Sequence, residues 1–188
     1  MKSENSETKK LGRLPGDPGP AEMRARMVRV DQAGEFGAKR IYAGQLAVLG
    51  GTPVGEIIRE MAETEDRHLE KFDTLLVQRR VRPTALMPLW HVAGFVLGAG
   101  TALMGEKAAM ACTVAVEEVI AEHYAAQADR LGDGDPELRQ VIDEFRQDEI
   151  EHKNIGLAAG AEQAPGYEVL STAIKAGSRL AIWLSERI

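Results

Sequence analysis

The chain has 188 residues, of which 44% are hydrophobic, and this length and composition suit one globular domain. Its formal net charge is −6 and no basic face is evident, which argues against a nucleic-acid partner. Its one cysteine, Cys112, excludes an internal disulfide, is expected to be a small buried residue, and favours a reducing compartment.

Residues 1–20 are predicted to form a flexible polar tail, because the segment is charged and is broken by Gly and Pro. The tail has no apolar core, so it does not read as a secretory signal. The tail contains three acidic residues, Glu4, Glu7 and Asp17, and a single arginine, Arg13. This composition also makes the tail a poor mitochondrial transit peptide. Residues 21–188 are then predicted to form one domain.

The domain is predicted to be all-α, because no segment shows sustained strand alternation with hairpin signals. A first helix covers about 22–50 and stops at Gly50-Gly51. A second is capped by Thr52, carries Pro53 in its first turn and runs to about residue 80. Three further helices are predicted over residues 106–132, 135–160 and 165–188.

The connection between the second and third predicted helices, residues 83–105, is apolar. Residues 87–105, MPLWHVAGFVLGAGTALMG, contain no Asp, Glu, Lys or Arg, and His91 would be charged only when protonated. The stretch is almost long enough to span a bilayer. A single span would place the second and third helices on opposite sides of the membrane and separate residues that must meet. We therefore expect an apolar crossover lying in a membrane interface, with Trp90 as an anchor. A hairpin buried in the protein core is the alternative.

The helices on either side of the crossover form two similar halves, about 22–80 and 106–160. Each half is a predicted hairpin with one Glu on its first helix and a Glu-x-x-His motif on its second. The equivalent positions are Glu35 and Glu117, Tyr42 and Tyr124, Gln45 and Gln127, Glu65 and Glu149, and His68 and His152. This register favours Glu117 over the neighbouring Glu118.

Four carboxylates and two imidazoles are thus predicted to point into one helical core, since residues three apart share a helix face and these faces are otherwise apolar. Unpaired buried carboxylates cost several kcal/mol, and two divalent cations would neutralise four of them. Carboxylate and imidazole ligands suit iron or manganese. One Glu from each of two helices and Glu-x-x-His from each of two others is the ligand pattern of ferritin-like four-helix bundles. The candidate metal ligands are Glu35, Glu65, His68, Glu117, Glu149 and His152.

Several segments resemble the demethoxyubiquinone hydroxylase family over roughly residues 24–188. They are VDQAGE at 30–35, RIYAGQ at 40–45, VRPT at 81–84, MPLW at 87–90, MACTVAVEE at 110–118 and LSER at 184–187. The resemblance implies a ferritin-like di-iron monooxygenase that holds two ferrous ions on the six residues named above. It implies hydroxylation, with dioxygen, of the ring of a polyprenyl methoxy-methyl-benzoquinol in ubiquinone biosynthesis. It also implies NADH as reductant, although no Gly-rich dinucleotide motif places a site for it.

Four further residues are candidates to support the metal ligands. Asp148 can reach the second ring nitrogen of His68, because a ligating histidine usually donates its other N–H to a carboxylate, a carbonyl or water; a surface charge is the alternative. Tyr124, with His123 beside it, is a candidate for a hydrogen bond near the metals, as is Tyr42. Ordinary core tyrosines are the alternative for both.

A polyprenyl substrate implies that the protein docks on a membrane surface. We expect a peripheral protein on the cytoplasmic face of a bacterial inner membrane, with the matrix face of the mitochondrial inner membrane as the alternative. The fifth helix carries an apolar stripe that is expected to pack on the bundle, with membrane docking or self-association into a homo-oligomer as alternatives. The resemblance also implies a lipid-binding accessory protein in some organisms.

Two other functions compete with the hydroxylase. An iron-storage or ferroxidase protein would share the six ligands but would not need an uninterrupted apolar crossover. A helical interaction protein without metal would leave four core carboxylates uncompensated.

Overall fold

A computed structural model describes residues 18–188, and within that range the chain is helical and contains no strand, which confirms the predicted all-α class. Residues 1–17 of the predicted tail lie outside the described part of the chain. The helices are α1 (Pro20–Leu49), α2 (Pro53–Arg79), α3 (Met87–Leu103), α4 (Glu106–Leu131), α5 (Pro136–Ala158) and α6 (Tyr167–Ser185), with a short 3₁₀ turn at Ala161–Gln163.

The helix ends follow local sequence chemistry. The side chain of Thr52 accepts the backbone N–H of Gly55 at the start of α2, and that of Asp135 accepts the N–H of Leu138 at the start of α5. In both helices a proline occupies the first turn, where its missing N–H costs nothing. At the other end of α2, Arg80 has a φ of 54° and ends the helix in the left-handed conformation. These signals explain why the predicted helix bounds agree closely with the observed ones.

Helices α1, α2, α4 and α5 form a four-helix bundle made from two helical hairpins, α1–α2 and α4–α5. Its core has two apolar clusters. One contains Phe72 and Ile142, and the other contains Ile58 and Met61. On α2, the polar pair Glu65–His68 lies between Met61 and Phe72, so the candidate ligands occupy the layer between the two clusters.

The sequence predicted five helices and none in the crossover. In the structure the crossover contains an additional helix, α3, which packs along α1. Glycines allow the two backbones to touch: a Cβ at Gly98 would lie 1.9 Å from the carbonyl oxygen of Ile41, and one at Gly94 would lie 2.9 Å from that of Gly37. The crossover is therefore not a buried hairpin, because its outer face exposes apolar residues, namely Leu89, Val92, Val96 and Leu103. Among residues 18–188, no helix combines the length and apolar character needed to cross a bilayer.

Helix α6 begins at Tyr167, two residues after the predicted start, and packs against α4. Ion pairs join the two helices, with Lys175 at 2.6 Å from Glu118 and Arg179 at 3.0 Å from Glu122. Its opposite face leaves Val169, Leu180 and Trp183 exposed.

Candidate metal centre

The structure brings all six predicted ligand residues into one cluster at the centre of the bundle. α1 carries Glu35, α2 carries Glu65 and His68, α4 carries Glu117, and α5 carries Glu149 and His152. Each of these residues is at most 4% exposed. Ionisable side chains are almost never this buried unless they are paired or bind a metal.

The six residues form two overlapping groups, in each of which four ligand atoms lie within 4.8 Å of one another. The first group is Glu35, Glu65, His68 and Glu149, and the second is Glu65, Glu117, Glu149 and His152. Glu65 and Glu149 belong to both groups, so their two oxygens can serve two neighbouring cations. Each group also has one histidine and one glutamate of its own.

Each imidazole faces a shared glutamate from the opposite hairpin, and that of His68 also faces Glu35 of its own hairpin. Nδ1 of His68 lies 3.2 Å from Oε1 of Glu149 and 3.5 Å from Oε2 of Glu35. Nδ1 of His152 lies 3.1 Å from Oε1 of Glu65. Yet both Nδ1 atoms, and both oxygens of Glu65 and Glu149, lack a hydrogen bond of acceptable geometry. Buried polar atoms are rarely left without partners, and a pair of cations would satisfy this set.

The pKa shifts reflect the burial of the carboxylates and the electrostatic repulsion between them. Burial, followed by repulsion from Glu149, raises the pKa of both Glu65 and Glu117 well above its usual value. Burial also raises the pKa of Glu149 to about 7. For His68, burial lowers the pKa, but the neighbouring carboxylates of Glu149 and Glu35 outweigh burial and raise the pKa to about 10. Four ionised carboxylates therefore need positive charge beside them, whether from protons or from metal ions.

Two tyrosines hold one carboxylate each, and the arrangement is reciprocal. The hydroxyl of Tyr42 on α1 donates to Oε1 of Glu117 on α4 at 2.6 Å. The hydroxyl of Tyr124 on α4 donates to Oε1 of Glu35 on α1. In each case the second oxygen, Oε2, has no hydrogen-bond partner and stays free for a ligand role. Both predicted tyrosines thus contact candidate ligands directly.

His68 is oriented from its outer side. Its Nε2 lies 3.0 Å from Oδ2 of Asp148, the contact expected from the sequence. Phe145 stacks on the imidazole with ring centroids 3.8 Å apart. Because Nε2 is engaged by Asp148, Nδ1 is directed towards the carboxylates.

His123 does not contact the six candidate ligands. Its Nε2 instead lies 2.8 Å from Nε2 of Gln127 and 3.6 Å from Oδ1 of Asp31. Gln127 also donates to Oδ1 of Asp31 at 2.7 Å. Sequence reasoning missed Asp31, which is buried, with its pKa raised to about 6 by burial. The available signal was its position one helical turn before Glu35 on the same side of α1.

An apolar cavity of about 340 Å³ lies between α1 and α4 on one side and α3 and α6 on the other. Its lining includes Val30 and Ile41 of α1 and Val116 and Ile120 of α4. Trp90 of α3 also lines it and donates its indole N–H to Ser185 of α6 at 3.0 Å. The cavity is therefore built on the two helices that carry Glu35 and Glu117. We call it the apolar cavity.

Comparison with known proteins gives a consistent result. Residues 22–185 match the family model described as ubiquinone biosynthesis protein COQ7. The chain is 62% identical over 178 residues to a 3-demethoxyubiquinol 3-hydroxylase of Rhodospirillum rubrum, covering 94% of this chain and 84% of the relative. It is 59% identical over 167 residues to the mitochondrial NADPH-dependent 3-demethoxyubiquinone 3-hydroxylase of Homo sapiens, covering 87% and 77%. It is 41% identical over 180 residues to the mitochondrial 5-demethoxyubiquinone hydroxylase of Saccharomyces cerevisiae, covering 87% and 77%.

Proposed function

The chain belongs to the COQ7 family of ubiquinone biosynthesis proteins, and we propose that it is a di-iron monooxygenase that hydroxylates the ring of demethoxyubiquinol with dioxygen. The names of its relatives support the reaction. The observation that carries the metal chemistry is the pair of overlapping buried ligand groups that share Glu65 and Glu149. A hydroxylase reaction and a two-cation site together favour a di-iron enzyme over the other ferritin-like functions.

The donor set fits two iron ions. One ion would be held by Glu35 and His68 and the other by Glu117 and His152, and the two shared glutamates, Glu65 and Glu149, would contribute to both sites. Carboxylate and imidazole are the ligands that non-haem iron prefers. The chemistry that bound iron supplies is the activation of dioxygen.

The protein's own residues hold and orient this site. Tyr42 and Tyr124 each donate to one oxygen of a glutamate and so fix the direction of the other oxygen. Asp148 and Phe145 fix the ring of His68. The burial of all six candidate ligands keeps bulk water away from the reaction.

The apolar cavity is the proposed site of the substrate ring. It lies against α1 and α4, and an apolar lining suits a quinol that carries a prenyl chain. The exposed apolar residues of α3 and α6 would rest on the membrane, where that chain resides. They are Leu89, Val92, Val96, Leu103, Val169, Leu180 and Trp183.

The remaining expectations stay proposals. We place the protein at the cytoplasmic face of a bacterial inner membrane, with the mitochondrial matrix face as the alternative; the human and yeast relatives are named mitochondrial. The human relative is named NADPH-dependent, which supports a reduced nicotinamide, NADH or NADPH, as the electron source. A lipid-binding accessory protein and a homo-oligomer stay predictions from the sequence.

Product mass tests the reaction. Protein loaded with ferrous iron is mixed with a short-chain demethoxyquinone, NADH or NADPH, liposomes and heavy-isotope dioxygen. We expect the product to gain one heavy oxygen atom. Glu149→Gln should abolish this gain, whereas Glu63→Gln, at an exposed position on α2, should not. Ferric iron accumulating without any oxygen gain would instead support the ferroxidase function.

Liposome flotation tests the membrane surface separately. The protein should float with liposomes, and a double variant with Val92→Glu and Val96→Glu on α3 should not. Val77→Glu is the control, because Val77 is 79% exposed but lies on α2, which carries no residue of the proposed surface. Equal flotation of all three proteins would contradict the assignment of α3 to the membrane.

A further inference from the structure

One face of α1 changes abruptly in side-chain size where it borders the apolar cavity. Four cavity-lining positions follow one another at helical spacing along this face, Val30, Gly34, Gly37 and Ile41, and the small residues Ala33 and Ala38 line the cavity beside them. The outer two positions carry branched side chains, and the inner two carry none. The gap between Val30 and Ile41 is called the glycine notch here.

Packing does not require these two glycines. A Cβ built on Gly34 or Gly37 would meet no heavy atom within 4 Å. In contrast, a Cβ on Gly98 of α3 would lie 1.9 Å from a backbone oxygen of α1. Backbone conformation does not require them either, because the glycines with positive φ in residues 18–188 are four others. Glycine inside a helix is destabilising relative to alanine. The two glycines of the notch therefore lower the stability of α1, and what they provide in return is open space.

The notch lies level with the candidate metal centre. Gly34 directly precedes Glu35 and Gly37 follows it by two residues, so both lie within about 3 Å of it along the axis of α1. On α4, which forms the same side of the cavity as α1, Val116 directly precedes Glu117 and Ile120 follows it by three residues. The two glycines are therefore at the same level along the bundle as the two non-shared glutamates, in the middle of the α1 wall rather than at its end.

We propose that Gly34 and Gly37 determine substrate specificity by leaving the width that the substituted ring of the quinol needs, with the prenyl chain lying elsewhere. This inference rests on the proposed function, because it takes the apolar cavity to be the ring site. A methyl group on either glycine would project into the space of the ring, and one such group in an apolar pocket changes discrimination by roughly 10–200-fold.

Replacing these glycines by alanine should raise the thermal stability of the protein and weaken its binding of the quinol ring. The variants are Gly34→Ala and Gly37→Ala, and Gly100→Ala is the control, since Gly100 is also within a helix with open space around its Cβ but does not line the cavity. Each should raise the midpoint of thermal unfolding by about 2–4 °C, because alanine favours the helix. Only the first two should weaken binding of the ring.

Fluorescence of Trp90 reports the binding, because its indole lines the cavity. The chain has two tryptophans, so Trp183→Phe in the full-length protein leaves Trp90 as the only one. The probe is a methoxy-methyl-benzoquinone without a prenyl chain, titrated into protein without iron. We expect the dissociation constant to rise about tenfold or more in Gly34→Ala and Gly37→Ala, and to stay unchanged in Gly100→Ala.

Each outcome decides the inference. Unchanged binding in Gly34→Ala and Gly37→Ala overturns it, and the product-mass experiment then still stands as the test of the hydroxylase. Lower thermal stability in these two variants also overturns it, because the glycines would then serve packing. If the parent protein binds no ring at all, the proposed use of the cavity fails and the inference fails with it, whatever the product-mass experiment shows.

Discussion

The substitution Glu65→Gln tests whether bound metal ions stabilise the cluster of buried carboxylates in the core. Glu65 is fully buried, and neither of its oxygens has a hydrogen-bond partner. Burial and the charges of three other glutamates raise its pKa. Glutamine has nearly the same shape and no charge, so it removes part of this repulsion. Without metal, Glu65→Gln should therefore be at least as stable as the parent protein.

With metal, the same substitution should be damaging. Glu65 belongs to both ligand groups, so its loss weakens both cation sites. An ion present at 100 times its dissociation constant stabilises a protein by about 2.7 kcal/mol, so two ions contribute about 5 kcal/mol. At about 2–4 °C per kcal/mol for a chain of this size, the parent protein should gain about 10–20 °C in melting temperature. Glu65→Gln should gain less than half of that.

The assay is thermal unfolding with and without ferrous iron under anaerobic conditions, together with the iron content of the purified protein. Glu63→Gln is the matched control, because Glu63 is exposed on the same helix two residues earlier. A full metal-dependent rise in melting temperature for Glu65→Gln, with two ions still bound, would refute the ligand assignment. Severe destabilisation of the variant without metal would show that Glu65 serves the fold itself.

Three more outcomes are expected. Without metal, stability should fall as pH rises from about 5 to about 9, measured as melting temperature against pH. Burial raises the pKa of Glu149 from 4.5 to about 7, and the neighbouring carboxylates of Glu149 and Glu35 outweigh burial and raise the pKa of His68 from 6.5 to about 10. The folded state therefore binds more protons than the unfolded state, and this stability is lost as pH passes through the folded values. Asp148→Ala should weaken iron binding by about 10–100-fold in a titration, since it removes the partner that orients His68; unchanged affinity would make Asp148 a surface charge. Gly98→Ala should destabilise the protein by about 1–3 kcal/mol in urea unfolding, because its Cβ would lie 1.9 Å from a carbonyl oxygen of α1; a neutral effect would mean that α3 moves freely on α1.

The helices of the bundle and the candidate ligands were predictable because the relevant signals are local. Thr52 and Asp135 cap helices through hydrogen bonds to residues three positions away. Glu65 and His68 share a helix face with apolar neighbours, which identifies them as core residues without knowledge of the fold. A second copy of the same pattern made a chance explanation improbable.

Helix α3 and Asp31 were missed because their explanations are not local. Glycines such as Gly94 and Gly98 disfavour a helix in isolation. Their role in α3 is to allow close contact with the backbone of α1, and the sequence alone does not show that contact. Asp31 resembles any acidic residue on a helix, and its burial beside Gln127 and His123 results from the approach of α4 to α1.

The sequence by itself determined the helical class, the bounds of the four bundle helices and the set of six candidate ligands, because these follow from capping, periodicity and an internal pattern. Only the tertiary structure decided which imidazole faces which carboxylate. It placed Nδ1 of His68 against Glu149 and Nδ1 of His152 against Glu65, and it made those two glutamates common to both groups. Such pairings depend on how four helices meet in space, and helical spacing along one chain carries no information about that.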